Sequence, residues 1–443
     1  MLGVNVVVWR ALALMMIVSC GIAEADDWTH WRGPMQTGAH PTAKPPTNWS
    51  EDQHVRWKTP LPGVGHGTPV VWRDRIYLVT AIPVGPELDP VYSQAEGAHD
   101  NAPVTHRQQF VVMAFDRTNG AELWRKVVRE ALPLEQGHFT GSLASASPTT
   151  DGERIYASFG SHGLYCLSDT GEVLWEHDLG TMQSKHGHGE GSSPLLVGDL
   201  LIINWDHEGK SFIVAFDKLS GKTRWRKERQ EVTSWSSPIA VEHDGKWQVI
   251  VSGSDRVRSY AAATGDVLWE CGGLSHNIVA SPVHANGIVV VGSSYEKRAM
   301  MAIQLKGAAG DLTDGPNIIW TRDRATPYVP SPLLYDSTIY FLRHYQGVLT
   351  RVRVDSGEEL PGPLRLGPIG DVYASPVGAD GRVYITDLDG TTVVISHEDV
   401  PRLIAVNKLD DSFAASAIPV DNELILRGRR FLYCLSEQKV DGN

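Results

Sequence analysis

The chain has 443 residues and an acidic balance, 52 Asp and Glu against 40 Lys and Arg, for a formal net charge of −12. No run of Lys or Arg forms a basic stripe, so nucleic acid is not an expected partner. Four cysteines exclude a dense disulfide framework.

In chain order, residues 1–25 read as a secretory signal: Arg10, the apolar run "ALALMMIV" at 11–18, then "AEA" at 23–25. The run is too short to span a bilayer. An alternative takes "IVSC" at 17–20 as a lipoprotein processing box with Cys20 lipidated, the one route to membrane contact. Either reading places the mature chain in the periplasm or the secreted space. Residues 26–54 read as an N-terminal extension, of which 26–36 are expected to matter far less to the fold than 51–60.

Residues 55–437 carry one repeat. "AFDRTNGAELW" ends at Trp124, "CLSDTGEVLW" at Trp175, "AFDKLSGKTRW" at Trp225 and "YAAATGDVLW" at Trp269, each with Gly four residues before Trp. Looser copies end at Trp320 and, in "VRWKTPL", at Trp57. A second mark is a small residue before Pro: Thr68, Ser147, Ser193, Ser237, Ser281, Ser331 and Ser375, with Ser416-Ala417 as a degenerate eighth. Pro is tolerated at the start of a strand, so these marks open strands.

Between marks lie four short strands, as in "PLLVG", "LLIINWD", "FIVAFD" and "KTRWRKE", separated by Gly, Asp and Ser turns. Four antiparallel strands at a period in the forties define a propeller blade, and eight marks define eight blades. The eighth unit has "AIPVD", "ELILRG" and "FLYCLSE" but no Gly-x-x-x-Trp strand. "VRWKTPL" supplies it, closing an all-β, eight-bladed ring from both chain ends and removing an open edge. Blades six ("VDSGEELPGP") and seven ("SHEDVPRLIAV") lack the Trp.

The "AFDxxxGxxxW" grammar resembles the tryptophan-docking motif of the pyrroloquinoline quinone (PQQ) dehydrogenase propellers and, equally, the BamB-like lipoprotein propeller of the outer-membrane β-barrel assembly machinery. The likeness covers essentially the whole mature chain. Trp57, Trp124, Trp175, Trp225, Trp269 and Trp320 are read as structural docking residues, each burying its indole against the next blade. Cys166, Cys271 and Cys434 read as buried thiols; Cys166 and Cys434 hold matching places in two "LYCLS" repeats and lie in different blades.

Function is sought in the loops. Links between blades share a face with links between strands two and three. The first set holds His66, His138, His186, His188, Trp235, His276, Tyr328, Tyr373 and Phe413; the second holds His162, Asp206, His207, His344, Tyr345 and an insertion at 82–108 with His99, Asp100 and His106. That face, with the insertion over it as a lid, is the expected ligand-binding face. In "HGHGEG" an extended backbone would project His186, His188 and Glu190 to one side as a set for a divalent metal, against an alternative in which the glycines serve a turn.

The dehydrogenase resemblance implies a PQQ held between a Trp and a disulfide of adjacent cysteines, with Ca²⁺ and an Asp base. This chain has no adjacent cysteines and no CxxCH haem sequence; Trp235 is the candidate stacking residue, and Glu190, Asn204 or Asp206 the candidate cation ligands. No catalytic residue is assigned and no cofactor is expected. The reading is a binding or scaffold module for a protein, peptide or glycan at the propeller mouth; the alternative is a PQQ- or metal-dependent oxidoreductase on the same face.

Overall fold

The computed structural model describes residues 27–343 and 346–437. The expected signal at 1–25, with Cys20, lies outside the described residues, as do His344 and Tyr345.

Among the described residues eight sheets each hold four antiparallel strands, in chain order except in the sheet that joins its two ends, and two sheets carry one further short strand. The blade from Leu195 shows the pattern: Leu195–Val197, Leu200–Trp205, Phe212–Asp217 and Thr223–Glu228. Its inner strands are buried on both faces because each sheet is packed between two others, hence their unbroken apolar runs. Eight buried apolar clusters result, one at each junction between neighbouring blades.

The ring closes as the sequence implies. Val55–Pro60 pairs antiparallel with Phe431–Leu435, with Trp57 opposite Cys434. Arg117 of the first blade reinforces the seam, reaching Glu423 at 2.7 Å and Asp421 at 2.6 Å in the last. Cys166, Cys271 and Cys434 are free and buried.

The Gly-x-x-x-Trp grammar has a two-sided cause. A register shift just before each docking Trp turns its indole toward the following blade. The indole N–H of Trp57 donates to Arg117 O, that of Trp124 to Asp169 O and that of Trp225 to Ala262 O, at 2.8–2.9 Å. The ring face lies flat on the motif glycine of that next blade. At Gly120 (φ +73°) and Gly265 (φ +73°) an added Cβ would stand 2.5 Å from Trp57 and Trp225. Blades one to three thus each supply a Trp forward and accept one at their Gly. Trp269 departs from the pattern, donating to Gln248 Oε1 in its own blade.

Where blades six and seven lack Trp, other groups fill the junctions. His397 stacks on Tyr335 at 4.2 Å, and buried Arg351 donates to the carbonyls of Glu398 and Asp399. Between blades seven and eight, Trp49 of the N-terminal extension stacks on Tyr384.

That extension packs into the ring, and its contacts run against the expectation that 26–36 matter far less than 51–60. Trp28 is fully buried and exchanges backbone hydrogen bonds with Val71 on the inner strand of blade one. Thr29 O accepts from Thr150 N in blade two, Gln36 Oε1 from Ala240 N in blade four and Thr37 O from Leu334 N in blade six. Ala39–His40 then adds a parallel strand inside Val377–Ala379 of blade seven. Contacts with inner strands all around the axis mean that the segment crosses the central channel and plugs it.

Candidate functional site: the propeller mouth

The small residues that mark each blade do more than precede strands. Thr68 N donates to Ser147 Oγ, Ser147 N to Ser193 Oγ, and the relay runs through Ser237, Ser281, Ser331, Ser375 and Ser416 to end with Ser416 N donating to Thr68 Oγ1, at 2.8–3.1 Å throughout. At seven of the eight positions a following Pro ends in-blade pairing, and every ring amide, that of Ser416 before Ala417 included, finds its partner on the next blade. A closed ring of eight hydrogen bonds therefore encircles the axis.

Above this ring opens a cavity of about 790 Å³, lined by all eight ring residues, with Trp31 of the plug among its walls. His66, His138, His186, His188, Glu190, Trp235, Tyr328 and Tyr373 line it, as the loop reading expects. The insertion contributes His99 and Asp100: its turn folds back so that Asn101 bridges to His138 and Asn101 Nδ2 donates to His186 O. His106 instead contacts Thr105.

Other expected members are placed elsewhere. Asp206 lies fully buried in a bidentate pair with Arg229, at 2.7 and 2.9 Å, and Arg229 also donates to the Tyr260 hydroxyl. His207 is buried and accepts at Nδ1 from Gln183 N. His162 stacks on Phe110 at 4.2 Å, and Phe413 is core. His276 is exposed, while its neighbour Asn277 lines the cavity in its place. Residues missed by sequence reasoning are Trp31, Phe139, Tyr295, Asn277 and the hydroxyl ring. The ring was signalled by the recurring Ser or Thr, and Trp31 by an aromatic-rich "WTHW" in an otherwise polar extension.

The set His186, His188 and Glu190 is not brought together. The glycines form a tight turn at Lys185–Gly187 with His186 at φ 58°, instead of an extended strand. Glu190 turns away to accept from Ser161 N at 2.7 Å and Ser161 Oγ at 2.5 Å. The histidines instead cluster with one another: His99 lies 4.8 Å, centroid to centroid, from both His186 and His188, and His138 lies 4.9 Å from His188. No group of three or more His, Cys, Asp or Glu among the described residues is arranged to hold a metal.

Burial lowers two members of the cluster. It pulls His188 down to about 4, with neighbouring imidazoles adding to the effect, and lowers His138. His66 is likewise drawn to about 4 by burial, then by Arg427 and Arg429. Glu190 moves up to about 7 because burial outweighs its two bonds from Ser161.

Fold and site together define an eight-bladed tryptophan-docking propeller with a blind axial cup. A family model described as "outer membrane protein assembly factor BamB" matches residues 47–185, 108–360 and 209–399, and the chain belongs to that family. No curated protein matches. Among solved structures, BamB from Moraxella catarrhalis is similar at 13% identity and TM-score 0.52, over 83% of this chain and 99% of that one. The quinohemoprotein alcohol dehydrogenase ADHIIG from Pseudomonas putida HK5 is similar at 9% identity and TM-score 0.55, over 94% and 82%. The computationally designed protein Ika8 is similar at 14% and 0.51, over 80% and 100%. At such identities these likenesses show the fold alone.

Proposed function

We propose that the protein is a non-catalytic binding module that works outside the cytoplasm, seating a protein or peptide partner in the mouth of its propeller. The observation that carries the reading is the cup itself: a preformed cavity of about 790 Å³ at the axis, walled by Trp31, Phe139, Trp235, Tyr295, Tyr328 and Tyr373. Rigid aromatic walls bury large area at low entropic cost, which suits recognition of a protruding segment. The family's description as an assembly factor supports a protein partner over a glycan. A signal at 1–25, or lipidation at Cys20, would deliver the chain to that compartment.

The quinone-and-calcium alternative calls on Glu190, Asn204 and Asp206. Asp206 is committed to Arg229, Asn204 Nδ2 donates to Asp206, and Glu190 is held by Ser161. The buried thiols of Cys166, Cys271 and Cys434 stand in three different blades. These residues do not compose the site the resemblance implies.

The test is a selection of displayed peptides on the mature chain. Peptides so obtained should lose at least about tenfold in affinity on the double variant Trp235→Ala, Tyr328→Ala, as for loss of central aromatic anchors, and keep it on Trp247→Ala at the other end of a blade. Equal loss on both variants, or none on the first, contradicts a site in the mouth.

A further inference from the structure

We propose that the floor of the cup is an oxyanion site, which takes a carboxylate, sulfate or phosphate group of whatever ligand the mouth holds. The proposal rests on the mouth being a binding cup and adds the chemistry of its base.

The ring hydroxyls have each spent an oxygen lone pair on the amide of the preceding blade, and none donates its own proton to another protein group among the described residues. Eight O–H groups thus belong to the lining of one cavity. A hydroxyl that accepts an amide hydrogen bond is also a stronger donor, since successive hydrogen bonds polarise one another.

Two buried guanidiniums lie beside the same layer, behind the cavity wall and not in it. Arg32, 2% exposed, donates to Pro332 O at 2.7 Å and Pro376 O at 3.0 Å, the carbonyls that directly follow ring residues Ser331 and Ser375. Arg427, 3% exposed, donates to Gly67 O at 2.8 Å, directly before ring residue Thr68. The Nε of each lacks a partner, and neither forms an ion pair with a carboxylate among the described residues. Asp100, Glu190 and Asp371 line the cup but reach neither guanidinium. Two other buried arginines are matched by carboxylates, Arg229 by Asp206 and Arg117 by Glu423, while Arg351 is met by backbone carbonyls instead. Buried charge is ordinarily paired, so two unmatched cations around a ring of donors define a place for negative charge. The same deficit appears as burial, acting alone, draws both arginines down to about 9.

An anion there would accept hydrogen bonds from the ring and supply the absent counter-charge, without any carboxylate of the chain having to move. Trp31, whose indole nitrogen is also without a partner, adds a further donor beside Arg32.

The test is calorimetric titration of the mature chain with sodium sulfate and sodium phosphate against sodium chloride at matched ionic strength, with crystals soaked in selenate. Expected are saturable binding of one oxyanion per chain and an anomalous peak on the axis within hydrogen-bond distance of the ring hydroxyls. Arg32→Met should weaken sulfate roughly tenfold or more, the scale of a lost charge-assisted interaction. Should that variant not fold, the selenate peak in the unaltered protein decides alone. Absence of saturable binding, or a peak away from the axis, overturns the proposal. If mouth-dependent peptides still bind in that case, the binding-cup reading stands without it; if sulfate binds and no mouth-dependent peptide exists, the anion site stands and the partner reading falls.

Discussion

The indole of Trp57, near the start of the chain, donates to Arg117 O at 2.8 Å while its backbone pairs with Cys434 near the end. One residue thereby joins the last blade's outer strand to the first blade's turn. Every other seam is covalently continuous, so this one depends wholly on packing and hydrogen bonds. Trp57→Ala should cost about 3–5 kcal/mol, the range for truncating a buried Trp, measured as a shift in urea midpoint. Trp57→Phe should cost less, because it keeps part of the contact with Gly120.

The plug makes a second demand. Trp28 sits in the same cluster as Trp57, between blades eight and one. Removal of 27–36 should destabilise the ring by several kcal/mol, comparable to removal of 51–60, because it deletes a fully buried indole and empties the channel. A denaturation midpoint unchanged by that truncation would show that the segment merely lies against the ring.

The glycine that receives each indole is equally constrained. Gly265→Ala should destabilise by about 1–3 kcal/mol through its positive φ and the 2.5 Å approach to Trp225. At Gly245, also at positive φ but with open space around it, the same change should cost about 1 kcal/mol or less. Thermal unfolding of the two single variants separates strain from collision.

The mouth sets opposing pH dependences. Glu190 titrates near 7 when folded against 4.5 as its ordinary value, so the folded state holds the extra proton between those limits. Its contribution is full below about 4.5 and is lost as pH rises toward 7. His66 and His188, drawn down to about 4, act the other way: their contribution is present above 6.5 and is lost as pH falls toward 4. The two histidines outweigh Glu190 below pH 6.5, so stability should rise from pH 5 toward 6.5, and Glu190→Gln should add up to about 2 kcal/mol to the rise between pH 5 and 7, read from urea titrations at each pH.

Blade number, strand order and the Trp57 closure were legible in the sequence because they are repeated: Gly, Trp and Ser-Pro recur wherever the same contact recurs. Eight of the proposed mouth residues, among them His138, Trp235 and Tyr328, were reached by the topological rule that sorts loops to one face. That rule places a loop and not a side chain, so it could not tell that Asp206 meets Arg229 or that Glu190 turns to Ser161. Nor could it see the plug, since 27–44 is used once and makes its contacts with strands hundreds of residues away. The ring hydroxyls were visible as residues but not as a ring, because their bonds run between blades.

The most direct test places a benzophenone side chain at Tyr328 in the mouth and, separately, at Trp247, which is 48% exposed beside the hairpin at the opposite end of its blade. After irradiation in cells that make the protein, the Tyr328 substitution should yield a discrete crosslinked species that the Trp247 substitution does not, and Trp235→Ala should abolish it. Crosslinking from Trp247 alone, or equally from both positions, would contradict a function seated in the mouth.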